Sequence, residues 1–160
     1  MLNEMDKRAL LVSLVEKMKN GGSWCGETHI QKCVYFLQRL LTVPMKYNFI
    51  LYKHGPYSFD LTDEITFLKG NAFLELHPRL PYGPSLSPGR FSTILKKKHS
   101  KAILQYTPEI GFVVKSFADK TVKELERIAT ALYVKKEKNW ASENDIVKKI
   151  VELKPHITVN

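Results

Sequence analysis

No stretch of this sequence approaches the roughly 18 uninterrupted apolar residues that a membrane span needs, which excludes a helical membrane protein. The opening residues Met1-Leu2-Asn3-Glu4 run straight into Asp6, Lys7 and Arg8, with neither the apolar stretch nor the small-residue cleavage site of a secretory leader. The expected location is therefore the cytoplasm. Cysteine is scarce: Cys25 and Cys33 stand eight residues apart in a region that reads as turn then helix, a separation of about 12 Å at the helical rise. That is too far for a disulfide, so reduced thiols are expected. The five histidines, His29, His54, His77, His99 and His156, have no G-x-S-x-G, H-E-x-x-H or P-loop pattern beside them. These absences argue against an enzyme, and neither a cofactor nor a small-molecule substrate is evident. No internal repeat is present either.

What is there is the material of one domain. A chain of 160 residues with 44% hydrophobic and 26% charged residues can bury a core without staples. Its net charge of +9 is spread along the chain, with no strongly polarised segment. The densest basic patch is Lys96, Lys97, Lys98, His99 and Lys101, followed by Lys135, Lys136 and Lys138. Such runs are usually solvated surface, although they also suit phosphate contacts.

Apolar spacing predicts a first helix over residues 4–19, with Met5, Leu11, Leu14, Val15 and Met18 sharing a face and Asn20-Gly21-Gly22 ending it. Thr28 and Gln31 read as a capping box opening a second helix, with Ile30, Cys33, Val34, Leu37 and Leu41 inward. Tyr47 to Lys53 reads as a strand, Gly55-Pro56 as a turn, and Tyr57, Leu61, Ile65 and Leu68 as the stripe of a third helix ended by Gly70-Asn71. Ala72 to His77 is expected to be a strand, and residues 78–89, rich in proline and glycine, a long loop. Phe91 to Leu95 and Ala102 to Gln105 are expected as strands around the lysines. Thr107-Pro108-Glu109 looks like a helix start, running through Phe117. A Thr121 to Glu124 capping box opens the next helix, with Val122, Leu125, Ile128, Ala129 and Leu132 inward. A last helix is expected from Ser142, with Ile146, Ile150 and Leu153 inward. The fold class is thus α+β and helix-rich, a winged-helix-like N-terminal core with a small β hairpin and appended C-terminal helices. It forms a single domain, with residues 1–106 as the core and 107–160 as the helices packed on it.

Three segments in this order, HIQKCVYFLQ (His29 to Gln38), LYKHGPYSFDL (Leu51 to Leu61) and KELERIATALYV (Lys123 to Val134), resemble the Panacea antitoxin and YwgA-like group of small prokaryotic proteins. The likeness runs over roughly residues 5–135 and is most specific at Gln31-Lys32, Tyr35-Phe36 and Gly55-Pro56. It implies a domain that binds and masks a protein partner, a toxin in the better understood branch. The proline-rich stretch and Cys33, where a larger aliphatic is commoner, depart from the pattern.

Read for chemistry, the third helix is ill suited to DNA, because Asp60, Thr62, Asp63, Glu64 and Thr66 would face the duplex and the carboxylates would repel phosphates. The acids equally read as a dipole-favouring first-turn residue and ordinary solvated side chains, or as a surface for a basic partner. The candidate partner-binding residues are His54, Tyr57, Asp60, Asp63 and Glu64. The alternative is a winged-helix transcriptional regulator that grips DNA through Lys96, Lys97, Lys98 and Lys101 acting as a wing. A zinc site on Cys25, His29 and Cys33 is disfavoured, since ligands two turns apart do not converge on one ion, and no metal is expected. His54 as a general base, Asp60 with Glu64 as a catalytic pair, and Pro78, Pro81 and Pro84 as a polyproline ligand are weaker readings than their structural counterparts.

Overall fold

The computed structural model describes residues 1–138; the expected helix from Ser142 lies outside them. Among the described residues, six helices surround one apolar core and two separate two-stranded antiparallel hairpins lie at its margin, so the chain is α+β and helix-rich. Helix α1, Glu4–Asn20, opens on a capping box in which Asn3 and Asp6 satisfy each other's backbone N–H groups. Ala9 to Val15 are all buried, an almost continuous turn-by-turn burial that marks α1 as the central helix. It packs against α5, Ser100–Phe117, and touches α4, Ser92–Lys98, and strand β4, Tyr82–Pro88.

Helix α2, Glu27–Arg39, begins without the expected capping box. Its N-cap is Gly26, which has no side chain to give, and Gln31 points inward instead. The Gln31 amide donates to the Ser58 carbonyl at 2.8 Å and accepts from the Ser58 N–H at 3.0 Å. Pairing both backbone groups of a buried residue outweighs a cap at a helix end that water can reach.

Strands β1, Ile50–Tyr52, and β2, Gly55–Tyr57, form a short hairpin, so Gly55-Pro56 is strand rather than turn and the strand expected from Tyr47 is trimmed to three residues. Ser58 then caps α3, Phe59–Gly70, by accepting from the Leu61 N–H at 3.2 Å. Leu61, Ile65 and Leu68 are buried as expected, while Tyr57 belongs to β2.

Two further expectations are overturned. Residues 78–89 are not a loop: β3, Leu74–Arg79, pairs with β4 in register Leu76↔Leu86 and Glu75↔Ser87, with a bulge between His77 and Arg79. A two-stranded ribbon has free edges where a missing N–H costs nothing, and Pro78 sits at the bulge, so proline is tolerated there. Ser92 to Leu95 and Ala102 to Gln105 are helical, in α4 and α5, with Phe91 the N-cap of α4. Leu95 is the buried apolar residue of α4 and Ala102, Ile110, Val113 and Phe117 recur at helical spacing along α5, and runs of four or five residues are too short to separate period 2 from 3.6. Pro108 consequently lies inside α5, on its exposed side, and the helix crosses the expected 106/107 boundary unbroken.

Helix α6, Val122–Lys138, does open on the expected box: the Thr121 N–H donates to Glu124 at 2.8 Å and the Glu124 N–H to the Thr121 hydroxyl at 3.2 Å. Leu125 and Ala129 face inward, but Ile128 turns out to solvent. The core is knitted by aromatic pairs, Phe36 stacked on Phe117 at 4.1 Å and Tyr35 edge-on to Phe49 at 5.1 Å. No helix of the described residues is long and apolar enough to cross a membrane.

Candidate partner-binding face

The β1–β2 hairpin is positioned by residues buried beneath it. Lys32 is 1% exposed, and its ammonium donates to the Pro56 carbonyl at 2.9 Å. A charged donor is roughly twice as strong as a neutral one in such a dry setting. Its neighbour Gln31 holds Ser58, as above, so two consecutive residues of α2 grip the chain on either side of Tyr57. From the other side comes α6. A Cβ built on Gly55 would meet the Thr130 hydroxyl at 2.8 Å and the Glu126 carbonyl at 3.5 Å, and Gly55 has φ +87°. Only glycine satisfies both the left-handed backbone and the close approach. Strand β2 is thereby clamped between α2 and α6.

What this clamp displays is aromatic. Tyr52, Tyr57 and Phe59 touch pairwise, with ring centroids 5.0 to 5.7 Å apart in tilted and edge-on arrangements. Tyr52 is 43% and Phe59 52% exposed, and Ile50, 46% exposed, pairs across the hairpin from Tyr57. Tyr57 is half-buried and its hydroxyl bonds Thr62 at 2.5 Å, which fixes the ring. Lys53 lies 5.9 Å from the Tyr52 ring.

The predicted site residues divide around this cluster. Tyr57 is within it. Asp60 and Asp63 are exposed on α3 beside it, with Asp60 accepting from the Asn48 N–H at 3.3 Å. His54 caps the hairpin turn, exposed, with Nδ1 3.6 Å from the Glu126 carboxylate. Glu64 is different: it takes a two-pronged bond from Arg8 at 2.8 and 3.2 Å, while that guanidinium lies 3.9 Å from the Phe67 ring. The bond to Glu64 raises the Arg8 pKa above its ordinary value, burial acting the other way. Glu64 therefore ties α3 to α1. Asp60 and Glu64 have separate partners, Asn48 and Arg8.

Sequence reasoning missed Tyr52, Phe59 and Ile50. Their signal was available: Ile50 and Tyr52 alternate with Leu51 at period 2, and Phe59 directly follows the capping serine, where a first-turn side chain points outward.

The lysines do not form a wing. Lys96, Lys97 and Lys98 are on α4 and Lys101 is in the first turn of α5. Lys96 pairs with Glu16 of α1, whereas Lys97, Lys98 and Lys101 are exposed, as is Lys135 on α6. The two thiols are buried and free: Cys25 Sγ lies 3.6 Å from the Val15 carbonyl and Cys33 Sγ 3.9 Å from the Met18 sulfur. Burial pushes both thiols up, away from the reactive thiolate form. Among the described residues no three His, Cys, Asp or Glu side chains gather in a metal-binding group.

In comparisons with known proteins, the chain matches no family model and no curated sequence.

Proposed function

We propose that this chain is a non-catalytic regulatory domain of the antitoxin type, which binds a protein partner through the Tyr52–Tyr57–Phe59 face and masks it. The observation that carries the reading is that cluster: three mutually touching aromatic rings, Tyr52 and Phe59 exposed and Tyr57 half-buried, with exposed Ile50, carried by a clamped hairpin and the first turn of α3 and flanked by Asp60 and Asp63. Large aromatic side chains at the centre of a patch with charge at its rim are the composition of interface hot spots. A clamped hairpin also loses little entropy on binding. The complementary partner presents an apolar pocket rimmed by lysine or arginine. The resemblance to Panacea antitoxins at Gln31-Lys32 and Gly55-Pro56 supports the same reading, because those residues are the ones that build the clamp. The element order α1, α2, β1–β2, α3, β3–β4 is compatible with a winged helix serving as a protein-binding scaffold.

A second reading, DNA binding, draws on the exposed Lys97, Lys98 and Lys101 at the α4–α5 junction. One experiment separates the two: a pull-down from the native host at two salt concentrations, with nuclease, comparing the wild-type chain with a Tyr52→Ala/Phe59→Ala variant. A stoichiometric protein that survives salt and nuclease and is lost with the double variant supports the masking reading; truncating central anchors costs about 2 kcal/mol or more. Salt-labile, nuclease-sensitive material retained by that variant and lost on Lys97→Ala/Lys98→Ala/Lys101→Ala sinks it in favour of DNA.

A further inference from the structure

Apart from the aromatic face, α4 and α5 turn a basic and apolar side to solvent. The helices meet at His99, which caps both: its N–H donates to the Leu95 carbonyl and its carbonyl accepts from the Ile103 N–H. On α5, Lys101, Leu104, Phe112 and Lys115 recur at helical spacing, away from buried Ala102, Ile110, Val113 and Phe117. On α4, Ile94, Lys97 and Lys98 likewise point away from buried Leu95.

This side is open. Leu104 is 73%, Ile94 56% and Phe112 50% exposed. A Cβ built on Gly111, on the same side of α5, would meet no atom within 4 Å. Its charge is of one sign. Glu109 is the one acid of the two helices and is half-buried. The acids of α1 nearest the bend are already taken, Glu16 by Lys96 and Asp6 by His99. Lys97, Lys98, Lys101 and Lys115 are exposed and pair with no acid among the described residues.

The pattern selects the occupant. An interface hot spot gathers apolar side chains at its centre and places charge at its rim, as the aromatic face does. Here single apolar side chains and lysines are interspersed along about 27 Å of helix from Ile94 to Phe112. Duplex phosphates would engage the lysines but leave the three apolar side chains without a counterpart. A second copy of the chain is disfavoured by charge. Lys101 and Lys115 stand symmetrically about Pro108, so an antiparallel two-fold pairing of α5 centred there sets each against the other's copy. An anionic bilayer supplies both needs: headgroup phosphates for the lysines and an acyl boundary for the apolar side chains.

We propose that the outer side of α4 and α5 is a peripheral contact for anionic membranes, with Ile94, Leu104 and Phe112 in the acyl boundary and the four lysines at the headgroup phosphates. Pro108 limits the depth. It has no N–H to give the Leu104 carbonyl, and an acceptor without that donor belongs at the hydrated headgroup level, not in the acyl core. The contact is independent of the Tyr52–Tyr57–Phe59 face and stands whether or not that face masks a partner.

The test sediments the full chain with vesicles of phosphatidylcholine alone and of equal parts phosphatidylcholine and phosphatidylglycerol. Saturable binding to the mixed vesicles, about ten-fold or more tighter than to phosphatidylcholine, is the expected result. Leu104→Asn/Phe112→Asn supplies the discriminating variant. Both side chains are exposed, so its Tm should hold while its affinity for the mixed vesicles falls about ten-fold or more at unchanged charge. Lys97→Ala/Lys98→Ala/Lys101→Ala should lose about the same factor. Should the double variant fail to fold, Leu104→Asn alone, at the most exposed of these positions, carries the comparison with a fall of about three-fold or more. Equal binding to both kinds of vesicle, no saturable response to either, or unchanged affinity in the folded apolar variant would each overturn the proposal. So would a duplex oligonucleotide that binds wild type and apolar variant alike and more tightly than the mixed vesicles, which would give this side to DNA.

Discussion

Gly55 couples two demands at one Cα: a φ of +87° and the absence of any atom where Thr130 approaches. Gly55→Ala violates both, and the hydroxyl it meets belongs to a fully buried threonine on a packed helix with little room to retreat. Destabilisation of about 1–3 kcal/mol is expected, read as a lower urea midpoint at unchanged slope. Lys32 poses the converse case, a long charged side chain almost wholly removed from water. Lys32→Met keeps much of the aliphatic volume but takes the donor from the Pro56 carbonyl, and loss of a charged hydrogen bond costs about 1.5–3 kcal/mol. If Lys32 were only a filler, the methionine variant would unfold at the wild-type midpoint.

At the scale of elements, α2 is joined to α3 through Gln31, which bonds Ser58 and Thr62, and through Glu27, which pairs with Lys69. Gln31→Ala takes the partner from the buried Ser58 N–H, while the Ser58 carbonyl keeps the Thr62 N–H, a penalty of about 1–3 kcal/mol. Faster amide exchange at Ser58 than elsewhere in α3 would locate the damage. The same residue explains what was legible. Thr28 and Gln31 have the spacing of a capping box, but spacing cannot reveal that Ser58 will offer Gln31 a better bond from far along the chain. The Thr121–Glu124 box, with no such competitor, was readable. Helices α1, α3 and α6 were legible because their apolar stripes are long and their ends carry Asn3, Ser58, Thr121 or an Asn-Gly pair. Helices α4 and α5 were misread because short runs such as Phe91 to Leu95 fit either period, and the Thr-Pro-Glu signal at 107–109 sits mid-helix. Of the candidate face, the sequence located Tyr57, Asp60 and Asp63; Glu64 is spent on Arg8, and the exposed rings of Tyr52 and Phe59 depend on a clamp that only the folded chain displays.

For the molecule as a whole, Asp6 and His29 are two of the groups that shape the response to acid. Asp6 is held below its ordinary pKa of 3.8, first by its bond with His99, which joins α1 to the start of α5. Its folded value is depressed, so its contribution is present above 3.8 and is lost as pH falls through the folded value. His29 is also depressed from its ordinary 6.5, by burial, with a backbone bond at Lys120 opposing. The unfolded chain takes up that proton first, so stability begins to fall as pH drops below 6.5 and continues down to the folded value. Urea midpoints measured from pH 8 to pH 3 should therefore decline in two stages. His29→Gln should remove the upper stage and Asp6→Asn should diminish the lower, which Glu4, held below its ordinary value by Lys7, shares; a wild-type midpoint flat between pH 7 and pH 5 would contradict the assignment to His29.

Helix α6 completes the seat of the β1–β2 hairpin, yet it is made long after the hairpin itself. A ribosome adding roughly 5–20 residues per second needs several seconds to travel from Gly55 to Thr130. Throughout that interval the aromatic face has only half of its support, from α2. On the masking function proposed above, a nascent chain is a poor ligand for the partner until α6 has emerged from the exit tunnel. The order of the helices then sets when capture can begin, and a chain truncated before residue 130 is expected to be synthesised without engaging.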